Sequence, residues 1–175
     1  MNFIKYFLRS LIRAIFIVSL LIQYPSAIAQ MNPVFQQYYN DYMFFIKTNC
    51  DDNQYRNSLI LTITFGDLSK QGFIGETKSY DYEVIANKAI LHYSDIVIDK
   101  KDWDRSSEDD RYAVIVHELT HAYFRYPDLH EEKYRKHFMF FSKENLKRHD
   151  VELQLLELLG ILCHKQISLS GSTTK

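Results

Sequence analysis

His117-Glu118-Leu119-Thr120-His121 is the stretch of this chain whose residue types and spacing can do chemistry. Residues four apart on a helix lie one turn above each other on the same face, so His117 and His121 can present two imidazoles to one Zn²⁺. Glu118 then points beside the ion, where its carboxylate can take a proton from a bound water near neutral pH. The competing reading is an ordinary amphipathic helix whose two imidazoles bond to neighbouring carbonyls. The flanks favour the metal. Val114, Ile115 and Val116 precede the first histidine and Ala122, Tyr123 and Phe124 follow the second, which puts the motif on a buried helix rather than a polar loop.

A catalytic zinc normally takes three protein ligands and keeps a fourth position for water, so two histidines are insufficient. Downstream candidates are Asp128, His130, Glu131, His137, His149, Glu152 and Glu157. A ligand close behind the helix needs a sharp turn after Phe124, and Tyr126-Pro127-Asp128-Leu129-His130 can supply it. A ligand from the next helix would be Glu152 or Glu157, with Asp150 as outer support, although acidic residues on a surface helix are usually solvated. Residue types alone leave Asp128, His130 and Glu152 open.

The elements that must position these groups follow from periodicity. Pro33 opens a helix through about Thr48, with Val34, Phe35, Tyr38, Tyr42, Phe45 and Ile46 on one face, and a polar connection follows from Asn49 to Asn57. Ser58 to Phe65 is apolar, β-branched and bounded by Gly66-Asp67, which predicts a central strand. Gly72 to Thr77 predicts a second short strand or bulged edge. Lys88 to Tyr93 and Asp95 to Asp99 are further strand signals, and Asp102 to Arg105 leads out of the last one. Ser106 or Ser107 can then N-cap the motif helix, with Glu108, Asp109 and Asp110 in its first turn where carboxylates suit the helix dipole. Pro127 stops or redirects that helix. A last helix is predicted from about Ser142 to His164, its buried side made by Leu146, Val151, Leu153, Leu155, Leu156, Leu158, Leu159 and Leu162.

Residues 1–29 have the form of a secretory signal peptide. Lys5, Arg9 and Arg13 make a basic start, Ala14 to Ile22 is apolar but too short to span a bilayer, and Ala27-Ile28-Ala29 fits a small-residue cleavage site. The expectation is an exported protein, periplasmic or secreted, with residues 30–175 as one domain and no stable membrane insertion after cleavage. About 145 residues suffice for a single core. Taking those three cations from the 21 basic residues leaves 18 against 22 acidic ones, a net charge of −4 that argues against nucleic acid as a partner. Cys50 and Cys163 lie near opposite ends of the domain. Paired, they would contribute roughly 3 to 5 kcal/mol in the chain-entropy model; two separate buried thiols are the alternative, and the sequence does not choose.

The stretch from Ile63 to Met139 resembles a family of small exported bacterial metallopeptidases of the metzincin-like zincin class. The resemblance rests on Ile63-Thr64-Phe65-Gly66-Asp67-Leu68, Ile74-Gly75, Ile96-Val97-Ile98-Asp99 with Trp103, and His117-Glu118-Leu119-Thr120-His121-Ala122. It covers roughly half of the exported domain. The family carries a third zinc-binding histidine eleven residues after the first and a Met-turn beneath the metal. Asp128 and His137-Phe138-Met139 stand at those places here. Asp for His is compatible with zinc, because a carboxylate oxygen is an ordinary ligand. Thr120 replaces the family's glycine, so packing behind the helix must differ.

The resemblance therefore implies a single-domain α+β, zincin-like fold, with a small mixed sheet against the motif helix and a helix at each end. It implies Zn²⁺ on His117, His121 and Asp128, Glu118 as the catalytic base, and a peptide or protein as substrate, with an edge strand near Gly72 to Thr77 pairing with it. The rival expectation is an inactive exported zinc-binding or interaction module.

Overall fold

The computed structural model describes residues 31–50, 59–71, 74–84, 89–140 and 146–164. The signal segment and most of the connection after Asn49 lie outside them.

A 3-10 turn at Pro33–Phe35, capped by the Asn32 side chain on the Val34 N–H (3.1 Å), leads into α1, Gln36–Asn49. Phe35, Tyr38, Tyr42 and Ile46 recur at helical spacing and are buried, whereas Val34 is exposed. Strand β1, Leu59–Gly66, buries alternate residues Leu59, Leu61 and Ile63. Strands β2, Gly75–Val84, and β3, Ala89–Asp99, complete a mixed sheet of order β1-β3-β2. β1 runs parallel to β3 with Ile63 opposite Ile96, and β2 runs antiparallel to it with Thr77 opposite Ile96. Met31 bridges to Ile63 on the outer side of β1, and β2 is the other edge.

The sheet corrects the sequence reading twice. The signals at Lys88 to Tyr93 and Asp95 to Asp99 belong, from Ala89 on, to one strand, and Lys88 lies outside the described residues. Ser94, which separates them, is buried and hydrogen-bonds through its hydroxyl to Ser79 (2.7 Å), so a polar side chain sits inside the sheet layer. β2 also runs much further than Thr77. In its continuation to Val84, Lys78, Tyr80, Asp81 and Tyr82 are exposed, so the alternation of Tyr80 and Tyr82 does not mark a buried face.

After β3, the buried Asp99 carboxylate accepts the Leu68 N–H (2.7 Å) and the Asp102 N–H (2.9 Å). The second bond caps a short helix, α2, Lys100–Arg105, where the sequence predicted only a lead-out. The motif helix, α3, is Glu108–Phe124. Ser107 is its N-cap, in a reciprocal box with Asp110 that satisfies two otherwise orphaned N–H groups. Helix α4 runs Arg148–His164. It starts later than Ser142: Leu146 and Lys147 are not helical, and 141–145 lie outside the described residues. One stripe, Val151, Leu155, Leu158, Leu159 and Cys163, faces the core, which leaves Leu153 and Leu156 exposed, contrary to expectation. The chain is thus a single α+β domain with, among the described residues, a three-stranded sheet and four α-helices.

Behind α3 lies α1. Thr120 is fully buried there, donating to the Val116 carbonyl (2.7 Å) and meeting the Tyr42 hydroxyl (3.3 Å), so the side chain that stands for a glycine is accommodated by a tyrosine from α1. Trp103 packs edge-on to Phe35, Tyr38 and Phe65 and fixes α2 to the sheet. Cys50, at the end of α1, and Cys163, near the end of α4, form a buried disulfide (Cα–Cα 5.5 Å), which resolves the pairing the sequence left open.

Candidate metal centre

α3 presents His117, Glu118 and His121 on one side, and the chain returns to them at once. Arg125 adopts a left-handed conformation (φ 52°, ψ 33°) and its N–H closes the helix on the His121 carbonyl (2.9 Å). A non-glycine residue rarely sits there. The turn is held from outside by the Arg125 guanidinium on Asp81 of β2 (2.5 Å), and Tyr126-Pro127 then delivers Asp128.

Three ligand atoms converge. His117 Nε2 and His121 Nε2 are 2.9 Å apart, and Asp128 Oδ1 lies 3.0 Å from the first and 3.2 Å from the second. Two ligands each about 2.0 Å from a tetrahedral zinc are separated by about 3.3 Å, so the triangle has the size of one face of such a site. The tautomers agree. His117 Nδ1 donates to the Phe138 carbonyl (2.7 Å) and His121 Nδ1 to the Tyr126 carbonyl (2.5 Å), which leaves an Nε2 lone pair on each neutral ring. Asp128 Oδ1 is buried and accepts no hydrogen bond; its approach to the rings is close, but not along a ring N–H. Three mutually facing lone pairs repel one another unless a proton or a cation lies among them. The donor set therefore fits a divalent metal, and among the described residues it is His117, His121 and Asp128 that form such a cluster.

Other candidates are engaged elsewhere. Glu152 on α4 accepts from Arg148 (2.9 Å), Glu131 pairs with Lys133 (2.7 Å), and His130 lies outside the cluster. His137 reaches the same cleft without joining the triangle, and its Nδ1 accepts the Met139 N–H (3.1 Å). The segment that places the Phe138 carbonyl beneath His117 is secured from two sides. Gln154 of α4 accepts the Phe138 N–H (2.8 Å) and donates to the Lys136 carbonyl (2.9 Å), while Leu129 N–H bonds to the Met139 carbonyl (2.9 Å). Met139 itself is fully buried in the core beside the metal helix, at the place where the resemblance puts a Met-turn.

Glu118 is buried, and β2 comes up against it. The Thr77 hydroxyl lies 2.6 Å from Glu118 Oε2 and 3.1 Å from the Glu118 carbonyl. A Cβ added to Gly75 would stand 2.5 Å from Glu118 Oε1. Burial pushes the Glu118 carboxyl above the usual carboxylate range, against the attraction of His117 and the Thr77 hydroxyl. The imidazoles of His117 and His121 hold Asp128 well below that range. Burial disfavours a charge on His117, yet Asp128 and Glu118 outweigh it and raise its affinity for a proton. These carboxylates favour positive charge at the Nε2 atoms, whether it arrives as a proton or as a metal.

The triangle opens into a cleft of about 1030 Å³. It is lined by Ile74, by Gly75, Thr77 and Ser79 of β2, by α3, and by Pro127, Phe138, Phe140 and Leu146. A model of the family described as "putative phage metallopeptidase" matches residues 64–154, just over half of the 175-residue chain.

The chain belongs to this metallopeptidase family.

The family match runs from β1 into α4 and takes in every group of the site described above, from Gly75 and Thr77 to Gln154. It agrees with the sequence resemblance at the level of a metallopeptidase, an enzyme that uses a metal and acts on peptides or proteins. No curated protein and no solved structure matches the chain. The sequence named His117, Glu118, His121 and Asp128, and the fold brings these four together. It missed Thr77, Gln154 and the carbonyls of Tyr126 and Phe138. The one available signal was the Gly75-x-Thr77 alternation, which sends both positions to the same face of a strand.

Proposed function

We propose that this metallopeptidase is an exported, zinc-dependent enzyme of the zincin class, acting with His117, His121 and Asp128 as metal ligands and Glu118 as general base. The observation that carries the reading is the triangle of His117 Nε2, His121 Nε2 and Asp128 Oδ1 beside a buried carboxylate. Zinc bound there would supply Lewis acidity, polarising the scissile carbonyl and lowering the pKa of water.

The chain does the rest. The Phe138 and Tyr126 carbonyls keep both imidazoles in the tautomer that offers Nε2. Glu118, in a site that burial already biases toward the protonated form, accepts a proton from the attacking water and returns it to the leaving amine. The exposed edge of β2 beside the cleft gives an extended peptide a backbone ladder to join. Export, with residues 30–175 as the mature domain, is supported by the leader-like residues 1–29 and by the Cys50–Cys163 disulfide, which suits an oxidising compartment.

The test is metal content and peptide hydrolysis of the purified protein and its Glu118→Gln variant. One zinc per chain in both, with hydrolysis in the wild type only, is the expected result. Equal hydrolysis in both would refute the role of Glu118, and zinc-loaded wild type without hydrolysis would refute the peptidase reading. Export is checked by the mass of the protein recovered outside the cytoplasm, expected to begin at Gln30.

A further inference from the structure

We infer that Thr77 is the positioning residue of Glu118: the edge strand β2, and not α3 alone, sets where the base's carboxylate stands. The inference rests on the reading of Glu118 as the proton carrier and adds to it the group that aims it.

A glutamate on a helix has three side-chain torsions, and holding them in one arrangement costs conformational entropy. Among the described residues, no hydrogen bond from within α3 supplies that restraint. β2 does, through two residues on one face of the strand. The Thr77 hydroxyl stands 2.6 Å from Oε2, a short bond for a charge-assisted contact, and 3.1 Å from the main-chain carbonyl of the same residue. Its single proton goes chiefly to the nearer Oε2 and is shared with the carbonyl in a three-centre contact, which ties the side chain to its own backbone. Gly75 acts by having no side chain, because Oε1 occupies the space a Cβ would need.

The choice of threonine fits the task. A β-branched residue is stiff about χ1 and suits a strand, so the backbone of β2 dictates the direction of the hydroxyl. Thr77 pairs with Ile96 of the central strand, which is itself fully buried, so the anchor is attached to the most fixed part of the sheet. The threonine hydroxyl holds Oε2 while Oε1 lies against Gly75, so both carboxylate oxygens are placed by β2. The Thr77 hydroxyl reaches Glu118 and not the metal-ligand triangle. It acts through Glu118.

The experiment compares Thr77→Val, which keeps the shape and removes the hydroxyl, with Thr77→Ser, which keeps the hydroxyl, in the full zinc-loaded protein. Thr77→Val is expected to lower kcat about 10- to 100-fold, in the range set by base placement and misorientation, with KM and zinc affinity by chelator competition unchanged. Thr77→Ser is expected to stay within about threefold of wild type. A loss of zinc affinity equal to the loss of kcat, or equal losses in the Ser and Val variants, would overturn the assignment.

A second measurement does not use turnover. The fall in melting temperature from Thr77→Val should largely vanish when Glu118 is already alanine, because the bond is then gone. Additive falls in an active enzyme would overturn the positioning role and leave the peptidase reading intact. Coupled falls in a zinc-loaded protein with no hydrolysis would leave the contact standing and refute the peptidase reading.

Discussion

Gly75→Ala is the sharpest perturbation this site offers, because one methyl group is enough. The added carbon would lie 2.5 Å from Glu118 Oε1, 2.8 Å from Cγ and 2.9 Å from Cδ. All three distances fall below any normal non-bonded contact, and they belong to one side chain, so turning the carboxylate about its last bond cannot relieve them. Glu118 must retreat by about 0.5 to 1 Å, and its 2.6 Å bond to Thr77 goes with it. Overpacking of this kind costs about 1–3 kcal/mol. At about 2–4 °C of melting temperature per kcal/mol for a chain of this size, the expected fall is about 2 to 12 °C. A displacement near 1 Å can cost a reaction about 100-fold, so kcat should drop by one to two orders of magnitude while zinc stays bound. Thermal unfolding and peptide hydrolysis of Gly75→Ala read both quantities. Repeating the unfolding in a Glu118→Ala background checks the cause, since the clash then disappears and the alanine should be tolerated. An alanine variant with wild-type melting temperature and wild-type kcat would refute the close packing of Glu118 on β2.

Other outcomes follow from the same geometry. Asp128→Ala should lower zinc affinity by more than about 100-fold, beyond the 10- to 100-fold typical of outer partners, whereas His130→Ala and Glu152→Ala should not change it; chelator competition decides. Gln154→Ala should lower zinc affinity about tenfold, because the Phe138 carbonyl that orients His117 loses its support, and the same titration reads it. Replacing Cys50 and Cys163 together by alanine should reduce stability by up to about 5 kcal/mol in urea unfolding, the chain-entropy value for a sequence separation of 113. Asp99 is held below the usual carboxylate range by the Asp102 and Leu68 N–H groups. Its contribution is therefore present above about pH 4, where the unfolded carboxylate also ionises, and is lost as pH falls further. The melting temperature of Asp99→Asn should depend less on pH between about 5 and 3 than that of wild type.

Much of the site was legible because its chemistry is local. His117, Glu118 and His121 share one helical face by spacing alone, and Ser106 or Ser107 followed by Glu108, Asp109 and Asp110 announces the start of that helix. Asp128 lies one tight turn beyond, but residue types left it beside His130 and Glu152, and only the resemblance pointed to it. The residues that were not legible act across the fold. Thr77 is one threonine among several until β2 is seen to run against α3. Gln154 stands on a helix whose start the sequence misplaced. Strand β3 was divided in two because Ser94, a buried polar residue, satisfies its hydroxyl on Ser79 rather than in water. Leu153 and Leu156 were assigned to the core by type, but a helix packed along one stripe has room for only part of its leucines.

The disulfide between Cys50 and Cys163 has a consequence for how damage to the molecule would be seen. The residues that line the cleft and all the groups that converge on the triangle lie between these two residues in the chain. A single cut anywhere in that interval, whether by another protease or by a second copy of the same protein, leaves two pieces covalently joined. Such a nicked molecule keeps the mass of the intact chain, apart from one added water, and migrates as one species until a reductant is added. Self-cleavage would therefore pass unnoticed on a non-reducing gel, and purity judged that way would count severed molecules as whole.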